Sequence, residues 1–104
     1  MKIRMLSLAA IVLAAAVSGQ AEAKDNNDAC GAILCLVGEA MGQGGGRACT
    51  PYLAKYFAIQ VFHHGFSASR TASARRDFLN QCSSGDPAQK SLIDSRYGSK
   101  RDGP

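Results

Sequence analysis

Residues 28–49 read DACGAILCLVGEAMGQGGGRAC. They hold three of the four cysteines of the chain, Cys30, Cys35 and Cys49. Apolar residues surround most of the helix axis over 29–41, which predicts a central and largely buried α-helix. Asp28 comes just before this range, and its carboxylate predicts a helix cap that accepts from a free backbone N–H. The glycines after residue 41 predict a flexible connection rather than a phosphate-binding loop, because neither Lys-Ser nor Lys-Thr follows them.

The fourth cysteine is Cys82. The spacing of the four cysteines matches neither the C-x2-C knuckles of zinc sites nor the C-x-x-C motif of redox sites. In an oxidising compartment they are best interpreted as two structural disulfides. The sequence leaves three pairings open, of which we favour Cys35–Cys49 with Cys30–Cys82. Two cross-links of about 2–4 kcal/mol each would stabilise a domain too small to rely on its core alone.

Three further helices are predicted downstream. Thr50-Pro51 combines a cap with a proline suited to the first helical position, and starts a second helix over 51–64. Ser67 caps a third helix over 68–81, and Asp86-Pro87 starts a shorter fourth. No stretch alternates apolar and polar residues over a useful length, so no strand is predicted. The predicted fold class is all-α, a small three- to four-helix bundle cross-linked by two disulfides.

The first 23 residues have the pattern of a cleavable signal peptide. Lys2 and Arg4 precede an apolar run, and Ala21-Glu22-Ala23 places small residues before a predicted cut after Ala23. The apolar run is shorter than the roughly 20 residues that a membrane-spanning helix needs. The predicted organisation is therefore a signal peptide at 1–23, a disulfide-cross-linked helical domain at 24–98 and a disordered tail at 99–104.

Size and composition exclude several classes of enzyme. The 104 residues leave one small domain after the leader, too small for a dinucleotide-binding dehydrogenase, a barrel enzyme or a kinase. The chain has no G-x-S-x-G nucleophile motif, and its acidic residues do not group as a glycosidase pair. His63 and His64 are adjacent, so on a helix they point about 100° apart and are poorly placed to share a metal. We predict a protein that is not an enzyme and has no metal or cofactor.

Basic side chains recur on the third predicted helix, at Arg70, Arg75 and Arg76. Such a run is usually a solvated face, and its functional interpretation is contact with an acidic protein or with anionic lipid headgroups. Tyr52 and Tyr56 form an aromatic edge on the second helix. Because aromatic and arginine side chains are common interface anchors, these five residues are the predicted partner surface. The net charge of +4 is low for a nucleic-acid binder, and no nucleic-acid partner is expected.

Five segments between residues 28 and 82 occur together in one known group of proteins. They are DACGAILCL (28–36), RAC (47–49), YLAKYFAI (52–59), RTASAR (70–75) and FLNQC (78–82). Through them the chain resembles the TrbM/KikA/MpfK group of conjugative-plasmid proteins. The resemblance implies an exported accessory of conjugal transfer that works with a type IV secretion apparatus in mating-pair formation. It carries over the four cysteines as structural groups and no catalytic residue.

These observations lead to one predicted function and two alternatives. The predicted function is a periplasmic accessory protein that binds components of the type IV secretion and mating-pair apparatus and aids its assembly or stability. Its expected partners are proteins of that apparatus, with weak contact to an anionic membrane surface. The first alternative is an exported toxic effector that acts on the host cell envelope. The second is a small peptidoglycan hydrolase, which the scattered acidic residues support only weakly.

Overall fold

The computed structural model describes residues 25–104. The signal peptide predicted at 1–23, with its cut after Ala23, lies outside the described residues. Four α-helices follow one another: α1 (Asn27–Ala40), α2 (Thr50–Ala58), α3 (Ala68–Leu79) and α4 (Pro87–Tyr97). A 3₁₀ turn, Gly46–Cys49, leads into α2. Residues 25–104 contain no strand, which confirms the predicted all-α class. None of these helices is both long and apolar enough to cross a bilayer.

Helix α1 begins one residue after Asn26, whose side chain accepts from the backbone N–H groups of Asp28 and Ala29 at 2.8 and 3.2 Å. The prediction of Asp28 as the cap is therefore wrong. Asp28 lies in the first turn instead, and its carboxylate is 3.0 Å from Lys55 Nζ of α2. An acidic group there still favours the helix, because it complements the positive end of the helix dipole.

The core forms around α1, which packs against each of the other three helices. One face of α1 contributes Ala29, Ala32, Ile33 and Leu36. Gly31 lets α2 approach closely, because a Cβ at this position would overlap the ring of Tyr52. The other helices supply the remaining large side chains of the core, which are Tyr56, Phe57, Leu79, Ile93 and Tyr97. The prediction of α1 as the central helix agrees with this arrangement.

Two disulfides connect α1 to the segments that follow it. Cys30 in the first turn binds Cys82 beyond the end of α3, and Cys35 binds Cys49 at the start of α2. The favoured pairing is confirmed among the three that the sequence left open. Closing loops of these lengths removes entropy from the unfolded chain, by about 4 kcal/mol for the longer loop and about 3 kcal/mol for the shorter.

Helix α2 ends at Ala58, six residues before the predicted end at His64. Side chains of α3 form hydrogen bonds with backbone groups that would otherwise pair within a longer α2. Thr71 Oγ1 accepts from the Val61 N–H at 2.9 Å, and Arg75 donates to the carbonyls of Phe57 and Ile59. The helix itself starts at Thr50, so the prediction of Thr50 as a side-chain cap is wrong. Cys49 precedes it without a side-chain capping bond.

The two downstream caps agree with prediction. Ser67 Oγ accepts from the Arg70 N–H at 3.3 Å, and Asp86 Oδ1 accepts from the Ala88 N–H at 2.8 Å. Residues 99–104, predicted as a disordered tail, are instead placed beside α2. The carbonyls of Lys100 and Arg101 accept hydrogen bonds from Arg75, which holds this end of the chain.

Candidate partner-binding surface

The predicted partner surface contains five residues in three different environments. Arg70 and Arg76 are exposed on α3, and Tyr52 is half-buried against Gly31. Tyr56 and Arg75 are both fully buried, at 0% exposed. The expectation that these two residues face a partner is therefore wrong, because their side chains belong to the interior.

Arg75 is the largest side chain that is completely buried. It sits at the C-terminal ends of two helices, where backbone carbonyls have no helical partner. The acceptors of its guanidinium are the carbonyls of Phe57, Ile59, Tyr97, Gly98, Lys100 and Arg101. Five of these lie 3.0–3.2 Å from the donor nitrogens. A guanidinium has five N–H groups, so at least one of them is shared between two carbonyls.

No carboxylate of residues 25–104 forms a salt bridge with Arg75, and other groups compensate its charge. The ends of α2 and α4 present the negative poles of their helix dipoles. The rings of Tyr56 and Phe57 lie with their centroids 5.1 and 5.0 Å from its Cζ, within cation–π distance. Burial lowers the pKa of Arg75 from its ordinary value, and the nearby Tyr56 and Asp102 oppose that shift. The site is a structural junction of α2, α3, α4 and the tail.

Tyr56 packs beneath this junction. Burial raises the pKa of Tyr56 to about 12, with the Arg75 charge lowering it and Asp94 adding to the increase. Its hydroxyl finds no hydrogen-bond partner among the described residues. The side chain therefore contributes an aromatic ring rather than a polar contact, and it is not available to a partner.

Arg76 is paired rather than free. Its guanidinium is 3.1 Å from Asp94 Oδ2 of α4, and both side chains are partly exposed. Beside this pair a shallow cleft of about 250 Å³ separates α3 from α4, with Lys90 and Asn80 on its walls. An exposed pair of this kind contributes about 0–1 kcal/mol to stability. Arg70 and Arg76 are both exposed on α3, and they stay predicted partner residues.

The largest exposed apolar side chains were not among the predicted site residues. Leu34 is 73% exposed and Met41 is 65% exposed. They are seven residues apart, or two turns, so they share one side of α1, which we call the α1 outer face. Because the sequence of α1 is almost continuously apolar, it does not by itself distinguish this exposed side from the buried one. On a helical wheel with 100° per residue, however, Leu34 and Met41 lie opposite the buried Ala32 and Leu36. This projection could have indicated their exposure.

A groove of about 300 Å³ runs beside Leu34. Ile33 and the Cys30–Cys82 disulfide form its buried apolar part, while Asp86 and Gln89 line it with polar groups. The Cys30–Cys82 disulfide holds the two sides of the groove together, since it connects α1 to the turn after α3. Leu34 belongs both to the α1 outer face and to the lining of the groove, so the two meet at this side chain.

The end of this groove is secured by the residues that follow the predicted leader. The Asp25 carboxylate accepts from the backbone N–H groups of Ser83 and Ser84 at 2.9 and 3.3 Å, and from both hydroxyls. These hydrogen bonds lower the pKa of Asp25 to about 2. Asp25 also lies near Cys30 and Cys82, but the two sulfurs are bonded to each other and so do not serve as thiolate ligands for a metal.

His63 and His64 lie in a turn rather than on a helix, because α2 ends before them. Their placement at a helix C-terminus is therefore a wrong prediction. Both side chains are exposed, with ring centroids 4.5 Å apart.

Comparison with known proteins gives one result at the level of a family. The TrbM family model matches residues 23–101, which is most of the chain and all four helices. Neither the curated proteins nor the solved structures provide a match.

Proposed function

The chain belongs to the TrbM family of conjugal-transfer proteins, and from this membership we propose that it is a periplasmic accessory of a type IV secretion apparatus. In this role it binds protein components of the mating-pair machinery and aids their assembly or stability. The proposed activity is binding rather than catalysis. The family match over residues 23–101 is the observation that carries the proposal.

Two further observations support export to the periplasm. Both pairs of cysteines are joined as disulfides, which form and persist in oxidising compartments. The sequence of residues 1–23 has the pattern of a cleavable signal peptide. Cross-links of this kind allow a small exported domain to stay folded although its hydrophobic core is small.

The α1 outer face is the surface that we propose for the protein partner. Leu34 and Met41 offer exposed apolar side chains, and the groove beside Leu34 can receive an apolar side chain from a partner helix. Asp86 and Gln89 at the groove supply polar contacts at its edge. Disulfide-bonded elements on both sides keep the groove in shape before the partner arrives, which lowers the entropy cost of binding.

Plasmid transfer between cells tests the function. Deleting the gene should lower the transfer frequency, and the full chain supplied in trans should restore it. A chain without residues 2–23 should fail to restore transfer, because it would stay in the reducing cytoplasm. Wild-type transfer in the deletion strain, together with host killing by the exported chain alone, would instead favour the toxic-effector alternative.

Substitution on the α1 outer face tests the partner surface. Leu34→Glu places a charge at an exposed apolar position, and it should reduce transfer at least tenfold while leaving the fold intact. Ser95→Glu, which adds the same charge at an exposed position of α4, is the matched control and should transfer normally. Equal transfer by the two variants would show that the partner does not use this face.

A further inference from the structure

A short hairpin between α2 and α3 presents an aromatic pair at its tip. Phe62 and Phe66 face each other across a single antiparallel bridge, with their ring centroids 6.0 Å apart and edge to face. The base of the hairpin is closed by the Ser67 N–H, which donates to the Val61 carbonyl at 2.8 Å. Phe62 lies outside the core and is 55% exposed, while Phe66 is half-buried.

The turn between the two phenylalanines is tightly constrained. The His63 N–H donates to the Gly65 carbonyl at 2.7 Å. His64 and Gly65 both have positive φ, at 61° and 114°, which is a backbone conformation that a non-glycine residue rarely adopts. Residues 62–65 are all exposed, so the tip is convex. The fold holds an apolar ring outward on a rigid turn.

A positively charged side chain lies against the aromatic pair. The Arg101 guanidinium lies over both rings, with its Cζ 5.4 Å from the centroid of Phe62 and 5.6 Å from that of Phe66. Lys100, the preceding residue of the tail, is exposed and has its Nζ 3.4 Å from the Pro104 carbonyl oxygen, and Arg70 is exposed three residues after the base of the hairpin. The acidic group here is Asp102, whose carboxylate is 3.9 Å from Arg101 Nε and mostly exposed. Arg101 is the cation that lies on the rings, and the exposed Lys100 and Arg70 are near the hairpin in sequence, against the single carboxylate of Asp102.

We propose that this hairpin, with Arg101, binds the surface of an anionic phospholipid bilayer. Phe62 enters the boundary between headgroups and acyl chains, and Arg101, Lys100 and Arg70 contact the phosphates. The proposal rests on the export proposed above, because export brings the domain to a membrane surface. It assigns the contact to a face different from the α1 outer face, so one molecule has separate surfaces for lipid and protein.

The shape of the tip favours a bilayer over a protein partner. A stable protein interface needs about 800 Å² from each side with complementary packing, which a convex tip of four residues does not provide. A bilayer is deformable and accepts a single projecting ring without a matching pocket. Basic side chains around an apolar group are also the pattern that gives electrostatic attraction to anionic lipids.

Vesicle sedimentation tests the proposal with the full disulfide-bonded protein. Vesicles of phosphatidylcholine with about one third phosphatidylglycerol should bind the protein, while phosphatidylcholine alone should bind it at least tenfold more weakly. Raising the salt concentration to 0.5 M should release most of the bound protein, because exposed charges are then screened. Phe62→Ser should weaken binding about tenfold through the lost ring, and Arg101→Gln about fivefold through the lost charge.

Matched controls distinguish binding through the hairpin from non-specific binding by other exposed side chains and from unfolding of the variants. Leu34→Ser removes an exposed apolar side chain from the α1 outer face, and Arg96→Gln removes an exposed charge from α4. Both should bind the anionic vesicles like the unmodified protein. Arg101→Gln keeps the backbone carbonyl that Arg75 binds, and thermal unfolding should confirm that all four variants stay folded.

Three results would overturn the proposal. The first is no preference for anionic over neutral vesicles at low salt. The second is equal binding by Phe62→Ser and Leu34→Ser, which would show that the hairpin is not the contact. The third is a Phe62-dependent complex with a protein in the absence of vesicle binding. None of these results bears on the transfer defect of the deletion strain, so the lipid contact and the proposed function fail independently.

Discussion

Helix α3 is tied to the rest of the molecule at two points that differ in chemistry. Just beyond its end, Cys82 is bonded to Cys30 of α1. In its middle, Arg75 donates to six backbone carbonyls from α2, α4 and the tail. The first tie is a covalent bond between two rare side chains. The second is a set of hydrogen bonds to backbone carbonyls. Every residue has such a carbonyl, so the sequence does not indicate which ones Arg75 binds.

The comparison predicts that the covalent ties contribute more. Reducing both disulfides should cause the largest loss, about 4 kcal/mol for the longer loop and about 3 kcal/mol for the shorter. A domain of about 80 residues has a free energy of unfolding of roughly 4–12 kcal/mol, so the reduced chain should be largely unfolded at 37 °C. Circular dichroism during heating, with and without reductant, measures the change. An unchanged melting temperature after reduction would contradict this ranking.

Replacing Arg75 tests the hydrogen-bonded tie. Arg75→Met keeps much of the aliphatic volume but removes the donors from six carbonyls, and three of the lost hydrogen bonds are buried. Each hydrogen bond contributes about 0.5–1.5 kcal/mol, and some carbonyls will recover water, so we expect a loss of about 3–5 kcal/mol. Urea unfolding followed by circular dichroism measures it.

Two variants sharpen the Arg75 result. Arg76→Met removes the neighbouring exposed arginine and its pairing with Asp94, and it should lose less than about 1 kcal/mol. Arg75→Lys keeps the charge but not the planar set of donors, so it should recover only part of the stability. If Arg75→Met and Arg76→Met were equally stable, the buried hydrogen bonds of Arg75 would contribute no more to the free energy of unfolding than the exposed pair of Arg76.

The same contrast explains what could be predicted from the sequence. The presence of two disulfides and the caps Ser67 and Asp86 were predictable, because the first depends on the chemistry of the compartment and the caps on residue types a short distance apart. The pairing of the cysteines was only favoured among three. The early end of α2 was not predictable. The pattern over 51–64 is suited to a helix, and only the packing of Thr71 and Arg75 against the backbone of residues 57–61 ends it at Ala58.

The candidate site was less predictable than the fold. Tyr56 and Arg75 were assigned to a surface because arginine is usually exposed and tyrosine often lies at interfaces. Leu34 was missed for the opposite reason, since an apolar residue in an apolar helix suggests burial. The residue type suggested exposure for Tyr56 and Arg75 and burial for Leu34. The rotation of each helix about its own axis places them the other way round. That rotation depends on all the neighbouring helices and is not a local property.

Tyr56 separates the aromatic part of the Arg75 junction from its polar part. Tyr56→Phe removes a buried hydroxyl without a partner among the described residues. Because an unsatisfied buried hydroxyl is unfavourable, the variant should be as stable as the original or more stable by up to about 1 kcal/mol. Tyr56→Leu removes the ring that lies against the guanidinium, and it should lose about 2–4 kcal/mol. A clear destabilisation by Tyr56→Phe in urea unfolding would indicate that the hydroxyl does have a partner.

Asp25 places a hydrogen-bonded tie beside the covalent one, at the same end of the molecule. Its carboxylate binds Ser83 and Ser84, next to the Cys30–Cys82 disulfide, and its pKa falls from 3.8 to about 2. A lowered pKa in the folded state means that the charged form is bound more favourably there than in the unfolded chain. The stabilisation is therefore present above pH 3.8 and disappears as the pH falls towards 2.

The smallest predicted effect follows from this sign, because the carboxylate is exposed to solvent and the neighbouring disulfide already holds the same segments. Asp25→Ala should lower the urea midpoint slightly at pH 6, and the difference from the unmodified protein should shrink strongly as the pH falls through about 2. Asp77→Ala, at an exposed position of α3, is the control and should show no such pH-dependent difference. A difference that persists unchanged at pH 2 would mean that Asp25 acts through packing rather than through its charge. After reduction of the disulfides under conditions where the domain still folds, the Asp25→Ala difference should increase, because no covalent bond then holds Ser83 near the start of α1.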